Sequence, residues 1–542
     1  QVRGLSEGTA TITATLGGLS DASTLTVTKA ELETLVLSER QLTLGVGLER
    51  KLTVMAFYTN GYLRRVTDKA AWSSSADDVA KVDGGVVYAK RPGVTTLTAT
   101  LDGITASATV QVIPPGDVVT WGLRYSGGNC DSNSVCERPK EVRAIVSATY
   151  AFAAITQDYK VVAWGDRSYG GDTRDVIGAD LEDVKEVVGS DSAFAALRRD
   201  GKVATWGYFG SRDPDDLDFS ALEGLDDVVS ITANRDAFAA LTRSGRVVVW
   251  GRESQGGDNK ALSKDLDSGV EAIVGTQAMG ASYHGFAALK RDGTVVSWGA
   301  VGKCDVCNDL TDVVEVVSSG GAFAALTSKG EVVAWGSKDY GGDTNTLPEG
   351  ALTEVVQVVG NGHAFAARKR NGSVVAWGYR VYGGDTTQVA AQLNGDVVAI
   401  YAAPRGFAAV KKDGSVVSWG HGIDSTNVPT LLRPLSVVGN TADNYAGFAA
   451  LNDDGTAVSW GSSSYGFDSP PGGGQLQDVR ALFSTGFAFA ALKGDGTVVT
   501  WGDGYAGGNS STPAGGTLTG VQTIVGNERA FAAIVTPPGA GQ

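Results

Sequence analysis

Cysteine, histidine, methionine and proline are scarce in this 542-residue chain, with 4, 3, 2 and 14 copies. The histidines, His284, His363 and His421, stand at non-equivalent places relative to the motifs around them. Spacing therefore assembles neither a zinc set nor a Ser-His-Asp arrangement from them. No run of 18 or more apolar residues occurs, which excludes a membrane-spanning helix. The 3.6-periodic, Leu/Glu/Lys/Ala-rich text that helices need is also thin. Positive charge is in deficit: 45 Lys and Arg face 60 Asp and Glu, a formal net charge of −15. That balance excludes the basic surface nucleic-acid binding requires. No phosphate cradle is present either, because the glycine-rich loops lack a lysine and a strand-to-helix context.

The cysteines form two close pairs, Cys130 with Cys136 and Cys304 with Cys307. A zinc site would need both pairs together, and they lie in different repeats. A redox role for Cys304-Asp305-Val306-Cys307 would need a βαβ context that is missing. Two local disulfides in a secreted protein are the expectation.

Glycine is abundant, with 74 copies, and hydrophobic residues make up 42% of the chain. Many tight turns between short strands follow, and the fold class is expected to be all-β. Gly8-Thr9-Ala10-Thr11-Ile12-Thr13-Ala14-Thr15 recurs as Gly93-Val94-Thr95-Thr96-Leu97-Thr98-Ala99-Thr100, 85 residues on. Both alternate with period two, as half-buried strands do. Residues 30–114 thus read as one complete β-sandwich, and residues 1–29 as the last third of another. A third of a sandwich leaves an open edge and an unfilled core, so more such domains are expected upstream. Trp72-Ser73-Ser74-Ser75, Val79 to Asp83 and Gly84-Gly85-Val86 give the complete copy its resemblance to bacterial Ig-like group 2 domains. The resemblance implies a stalk unit of a surface protein.

From residue 115 to 536 a second grammar takes over, followed by a tail at 537–542. Trp-Gly occurs at Trp121, Trp164, Trp206, Trp250, Trp298, Trp335, Trp377, Trp419, Trp460 and Trp501. Phe-Ala-Ala follows each one, at Phe152, Phe194, Phe238, Phe286, Phe323, Phe365, Phe407, Phe448, Phe489 and Phe531. Ten interleaved copies of each mark a repeat architecture. Asp-Gly or a similar pair between Phe-Ala-Ala and Trp-Gly predicts a tight hairpin, with Asp158-Tyr159 the exception. A third strand, such as Val313–Val317, precedes each Phe-Ala-Ala. The twenty aromatics are expected to be core, packing between neighbouring blades. The Ala-Ala steps are expected to allow close approach near a crowded axis.

Phe-Ala-Ala-Leu-x-x-Asp-Gly-x-Val-Val-x-Trp-Gly resembles the repeat of the regulator-of-chromosome-condensation propellers, in its compact bacterial branch typified by β-lactamase inhibitory protein II. That family usually has seven blades. Ten repeats imply one wide ring, two smaller rings or an open solenoid. The first Trp-Gly strand, Val118–Trp121, lacks a preceding partner, and the last, Phe531–Val535, lacks a following one. These complementary halves favour a single closed ring, with the short Trp298–Trp335 step as the place for a break.

The repeated polar feature is an aspartate after Gly-Gly at Asp172, Asp258, Asp343 and Asp385, with Asn129 and Asn509 at matching places. Such carboxylates are either weak Ca²⁺ candidates or Asx turns bonding their own backbone; no other cofactor is expected. Asn371-Gly372-Ser373 and Asn509-Ser510-Ser511 are glycosylation patterns. The whole is expected to be a non-enzymatic extracellular or cell-surface protein, an Ig-like stalk presenting a propeller that binds protein or glycan in adhesion. The alternative is a filament subunit that packs against copies of itself. Neither reading involves nucleic acid or insertion into a membrane.

Overall fold

The computed structural model describes residues 8–16, 19–27, 30–128, 139–211, 217–258, 263–276, 283–304, 307, 310–423, 428–431, 434–441, 445–467, 470, 475–509 and 518–537. The fold is all-β. Gly8–Leu16 and Leu19–Val27 form an antiparallel hairpin. Residues 30–113 form three small sheets around one apolar cluster, including Leu35, Leu52, Val54, Ala80, Leu97 and Val110. Its longest hairpin pairs Gly93–Leu101 with Ile104–Ile113, and Gln41–Gly45 joins that hairpin in parallel. Alternation along Gly93–Leu101 puts Thr95, Leu97 and Ala99 inward, as a period of two requires.

Among the described residues, the rest is ten sheets of three or four strands. In each, an inner strand such as Val142–Ser147 pairs with a middle Phe-Ala-Ala strand such as Ala151–Thr156, which pairs with an outer Trp-Gly strand such as Val161–Gly165. Every inner strand carries a register shift after its first residue, a bulge repeated through the array. The tenth sheet joins the two ends of the array. Its outer strand is Asp117–Gly122 and its middle strand is Ala530–Val535, with Trp121 opposite Phe531. That is the register of Phe152 with Trp164.

Each inner strand packs against those of the units before and after it, and Val142–Ser147 packs against Val521–Gly526. Ser318 Oγ donates to Gly275 O at 3.0 Å, so packing is continuous across the short Trp298–Trp335 step. The Phe-Ala-Ala strands do not line the inner wall. They lie in the middle of their sheets, and the alanines are small because neighbouring sheets cover both faces. Ala153, Ala195, Ala239 and Ala324 have no exposed surface.

The last residues of the inner strands alternate around the array, with Ser147, Ala233, Ser318, Ala403 and Ser484 interleaved by Gly189, Gly275, Gly360, Gly439 and Gly526. Ser147, Ser318 and Ser484 donate to the carbonyls of Gly526, Gly275 and Gly439 in the preceding units, at 2.9–3.0 Å. The intervening units carry Gly189, Gly360 and Gly526, where a Cβ would overlap Ser147 O, Ser318 O and Ser484 O. Neighbouring backbones approach too closely there for any side chain.

The N-terminal domain meets one end of this array. Leu63 N donates to Ser328 O at 2.7 Å, and Arg65 reaches Glu271 and Val314 O, both at 3.1 Å. Arg143 and Arg199 stand 4.3 and 3.5 Å from the Tyr159 ring centre, beside Gly47. All these array contacts lie at inner-strand starts or middle-to-outer hairpins. The inner-to-middle turns occupy the other end.

Gly360→Ala is expected to lower stability by about 1–3 kcal/mol through overpacking. Gly395→Ala, where a Cβ meets only Asn371 O at 3.9 Å, is expected to be near neutral; denaturant unfolding of both variants checks this.

Candidate functional site

All ten repeat tryptophans are at most 5% exposed, and the ten phenylalanines have no exposed surface. Each Phe stacks on the Trp of its own hairpin, with ring centres 5.2–5.6 Å apart. The pair also packs on the preceding unit, as Phe194 and Trp206 do on Ala151, Ala153 and Ile155, and a polar link is added there. The Trp206, Trp298, Trp377 and Trp419 indoles donate to Gly170, Gly256, Gly341 and Gly383 O in the preceding unit's loop. Trp121 donates to Gly507 O at 3.2 Å, across the two ends of the array. Gly170, a left-handed residue (φ 82°) closing a 3₁₀ turn, lies where a Cβ would strike the Phe194 ring. The Tyr-Gly-Gly-Asp motif is therefore an adaptor that seats the next unit's aromatic pair.

The aspartates of that motif fold back onto their own loops. Asp172, Asp343 and Asp385 accept from the backbone N–H of Arg174, Asn345 and Thr387 at 2.9–3.0 Å, the geometry of Asx turns. Arginine or lysine pairs with each: Arg167 and Arg174, Lys338, and Arg380. Asp258 lies in the corresponding loop of its own unit. No group of three or more His, Cys, Asp or Glu that could hold a metal exists among the described residues. The Cys304–Cys307 disulfide is present, with Cα atoms 5.2 Å apart, and packs near Val301 and Trp335. Cys130, Cys136 and Asn129 lie outside the described residues. Asn371 accepts from Ser373 N at 2.9 Å within its hairpin turn, and Asn509 is exposed beside a 3₁₀ turn.

Sequence reasoning missed the feature that dominates the end opposite the N-terminal domain. The rings of Tyr340, His363, Tyr382, His421, Tyr445, Tyr465 and Phe487 follow one another at centre distances of 4.7–5.5 Å. Tyr379 joins them at 4.8 Å from Tyr382, and Arg405 stands 4.4 Å from the Tyr382 ring centre. Two of the three histidines thus belong to one aromatic arc. His284 is instead buried, with Thr276 Oγ1 3.4 Å from its Nδ1. The signal was present at fixed offsets: Tyr340, Tyr382 and Tyr465 stand five residues after a Trp, and His363 and Phe487 two before a Phe. Beyond Phe487 the line continues through Arg529, 4.7 Å from that ring, to Glu528 and Tyr150. Burial, and then the Glu528 carboxylate, push the Tyr150 phenol well above its ordinary value. Phe209 is packed edge-on against Phe219 at 4.9 Å instead.

No family model matches the chain. Ice-binding protein 1 of Shewanella frigidimarina is 33% identical over 98 residues, 18% of this chain. The chain thus spans 11% of that relative's length. Among solved structures the chain is similar to yeast RCC1 (Prp20) bound to Kap60, at 14% identity and a TM-score of 0.34. That match covers 79% of this chain and 90% of Prp20. Domains 1–6 of the surface layer protein SbsC match at 16% identity and a TM-score of 0.21, over 37% of this chain and 25% of that one. Scores of this size leave the fold to be read from the strands themselves. No helix among the described residues is long and apolar enough to cross a membrane.

The Asp385 carboxyl is held down to about 2, first by the Thr387 hydroxyl and then by the Arg380 guanidinium. A depressed carboxyl stabilises its loop fully above the unfolded value of about 3.9 and loses that contribution as pH falls through the folded one. Thr387→Ala is expected to raise the Asp385 midpoint toward the ordinary aspartate range, read by carboxyl ¹³C titration.

Proposed function

We propose that this chain is a non-enzymatic extracellular or cell-surface binding module. In this reading an Ig-like N-terminal domain presents a single closed propeller of ten blades, whose aromatic end engages a protein or glycan. The aromatic arc carries the proposal. Half-buried tyrosines and histidines in an unbroken line supply large, rigid, amphipathic contact area at low entropic cost, as interface anchors do. The N-terminal domain docks on the opposite end, so a stalk built from it would point the arc outward. Pairing of Asp117–Gly122 with Ala530–Val535, and the unbroken Ser/Gly alternation across that seam, support one closed ring. The Cys304–Cys307 bond supports an oxidising, extracellular setting.

The test compares wild type with a Tyr379→Ala/Tyr382→Ala double variant on a printed panel of glycans and extracellular matrix proteins, with sedimentation run in parallel. Wild type is expected to stay monomeric and to bind at least one panel member. The double variant is expected to bind it at least about tenfold more weakly. Binding unchanged by the substitutions would overturn the assignment of the arc. Self-assembly of wild type into polymers would favour a filament subunit instead.

A further inference from the structure

Beside the arc, the ends of several inner strands enclose a cavity of about 340 Å³, whose polar lining includes Thr149, Asp191, Arg235, Thr441 and Glu528. A second cavity of about 500 Å³ shares Asp191 and Arg235 and is walled by Tyr169 and Tyr208. The two adjoin at Asp191 and Arg235 as one groove, each part within the roughly 300–1,000 Å³ range of ligand sites.

The charges in this groove cancel locally, although the chain as a whole is strongly acidic. Asp191 pairs with Arg235 at 3.2 Å and accepts from the Thr149 hydroxyl. Glu528 Oε1 lies 3.5 Å from Arg529 Nε. An ionic ligand would find its counter-charge already taken. What remains is hydrogen-bonding capacity. Glu528 Oε2 is buried without a hydrogen bond of full geometry, in a side chain only 8% exposed, although the Tyr150 phenol lies against the carboxylate. A buried acceptor left unpaired is costly, and a ligand O–H would satisfy it. The neighbouring Asp191–Arg235 pair offers both acceptor and donor atoms within one reach. Tyr169 and Tyr208 supply aromatic walls for the apolar face of a flat ring.

Acceptors and donors of balanced charge, with aromatic walls, suit a neutral polyhydroxylated ring. We propose that this groove binds a neutral glycan through individual sugar residues, with Glu528 accepting a sugar hydroxyl. The proposal rests on the aromatic end being the binding end and names the ligand class for it.

The experiment titrates free D-glucose, D-galactose, D-mannose, L-fucose and N-acetyl-D-glucosamine, each to about 50 mM, into the full chain by saturation-transfer NMR and calorimetry. Two variants are run alongside. Glu528→Gln removes the charged acceptor while keeping its shape, and Thr441→Trp blocks the mouth from an exposed position. At least one sugar is expected to bind with millimolar Kd, about tenfold more weakly in Glu528→Gln and not at all in Thr441→Trp, with thermal melts unchanged. Absence of binding by every sugar, or binding unaffected in both variants, overturns the proposal. Panel binding that depends on Tyr379 and Tyr382 but not on Thr441 would overturn it while leaving the binding-module reading intact.

Discussion

The indole N–H of each repeat tryptophan needs an acceptor that its own sheet does not supply. Among the described residues, eight of the ten find it in the preceding unit. Five use a loop glycine carbonyl, and Trp335, Trp460 and Trp501 use the hydroxyls of Ser297, Ser418 and Ser459. Burying a Phe-Trp pair is strongly favourable, but a buried N–H without a partner would offset much of the gain. Each unit is therefore complete only in the presence of its neighbour, as in other repeat architectures. The same requirement reaches across the ends of the array, where Trp121 takes Gly507.

This dependence shapes where the array can vary. The motif glycines and both aromatics are committed to seating the next unit, and the loop aspartates to closing their own turns. Freedom is left at positions whose side chains point away from the seam, such as those two and five residues after a Trp. Those positions supply much of the aromatic arc, and His363, Tyr445 and Phe487 come from just before the Phe-Ala-Ala strands. The N-terminal domain occupies the opposite end through Leu63, Arg65 and Gly47, so the two halves of the molecule do not compete for one surface.

Much of this was legible in the sequence, for a physical reason. Interleaved Trp-Gly and Phe-Ala-Ala motifs identify an antiparallel hairpin, because period-two patterning and a glycine turn permit little else. The half-units Val118–Trp121 and Phe531–Val535 announced their mutual pairing for the same reason. The Ala-Ala steps were placed at a crowded axis when they lie mid-sheet, since small residues mark close packing without saying against what. The arc was hidden because its members sit at four different offsets in different units, and no one-dimensional period gathers them. The alternation of glycine with serine or alanine at the inner-strand ends spans two units, so inspection of single repeats does not reveal it. Glu528 stands out only through its burial, which depends on turns contributed by remote units.

That alternation also bears on closure, because glycine at every second unit keeps its rhythm across the seam, from Ser484 and Gly526 to Ser147 and Gly189. Native-state hydrogen exchange at the Asp117–Gly122 amides tests the closed array most directly. The account predicts that they exchange as slowly as those of an interior outer strand such as Val332–Gly336, and open with the global unfolding reaction. Fast exchange at Asp117–Gly122, with the interior strands still protected, would contradict it and leave the array an open stack.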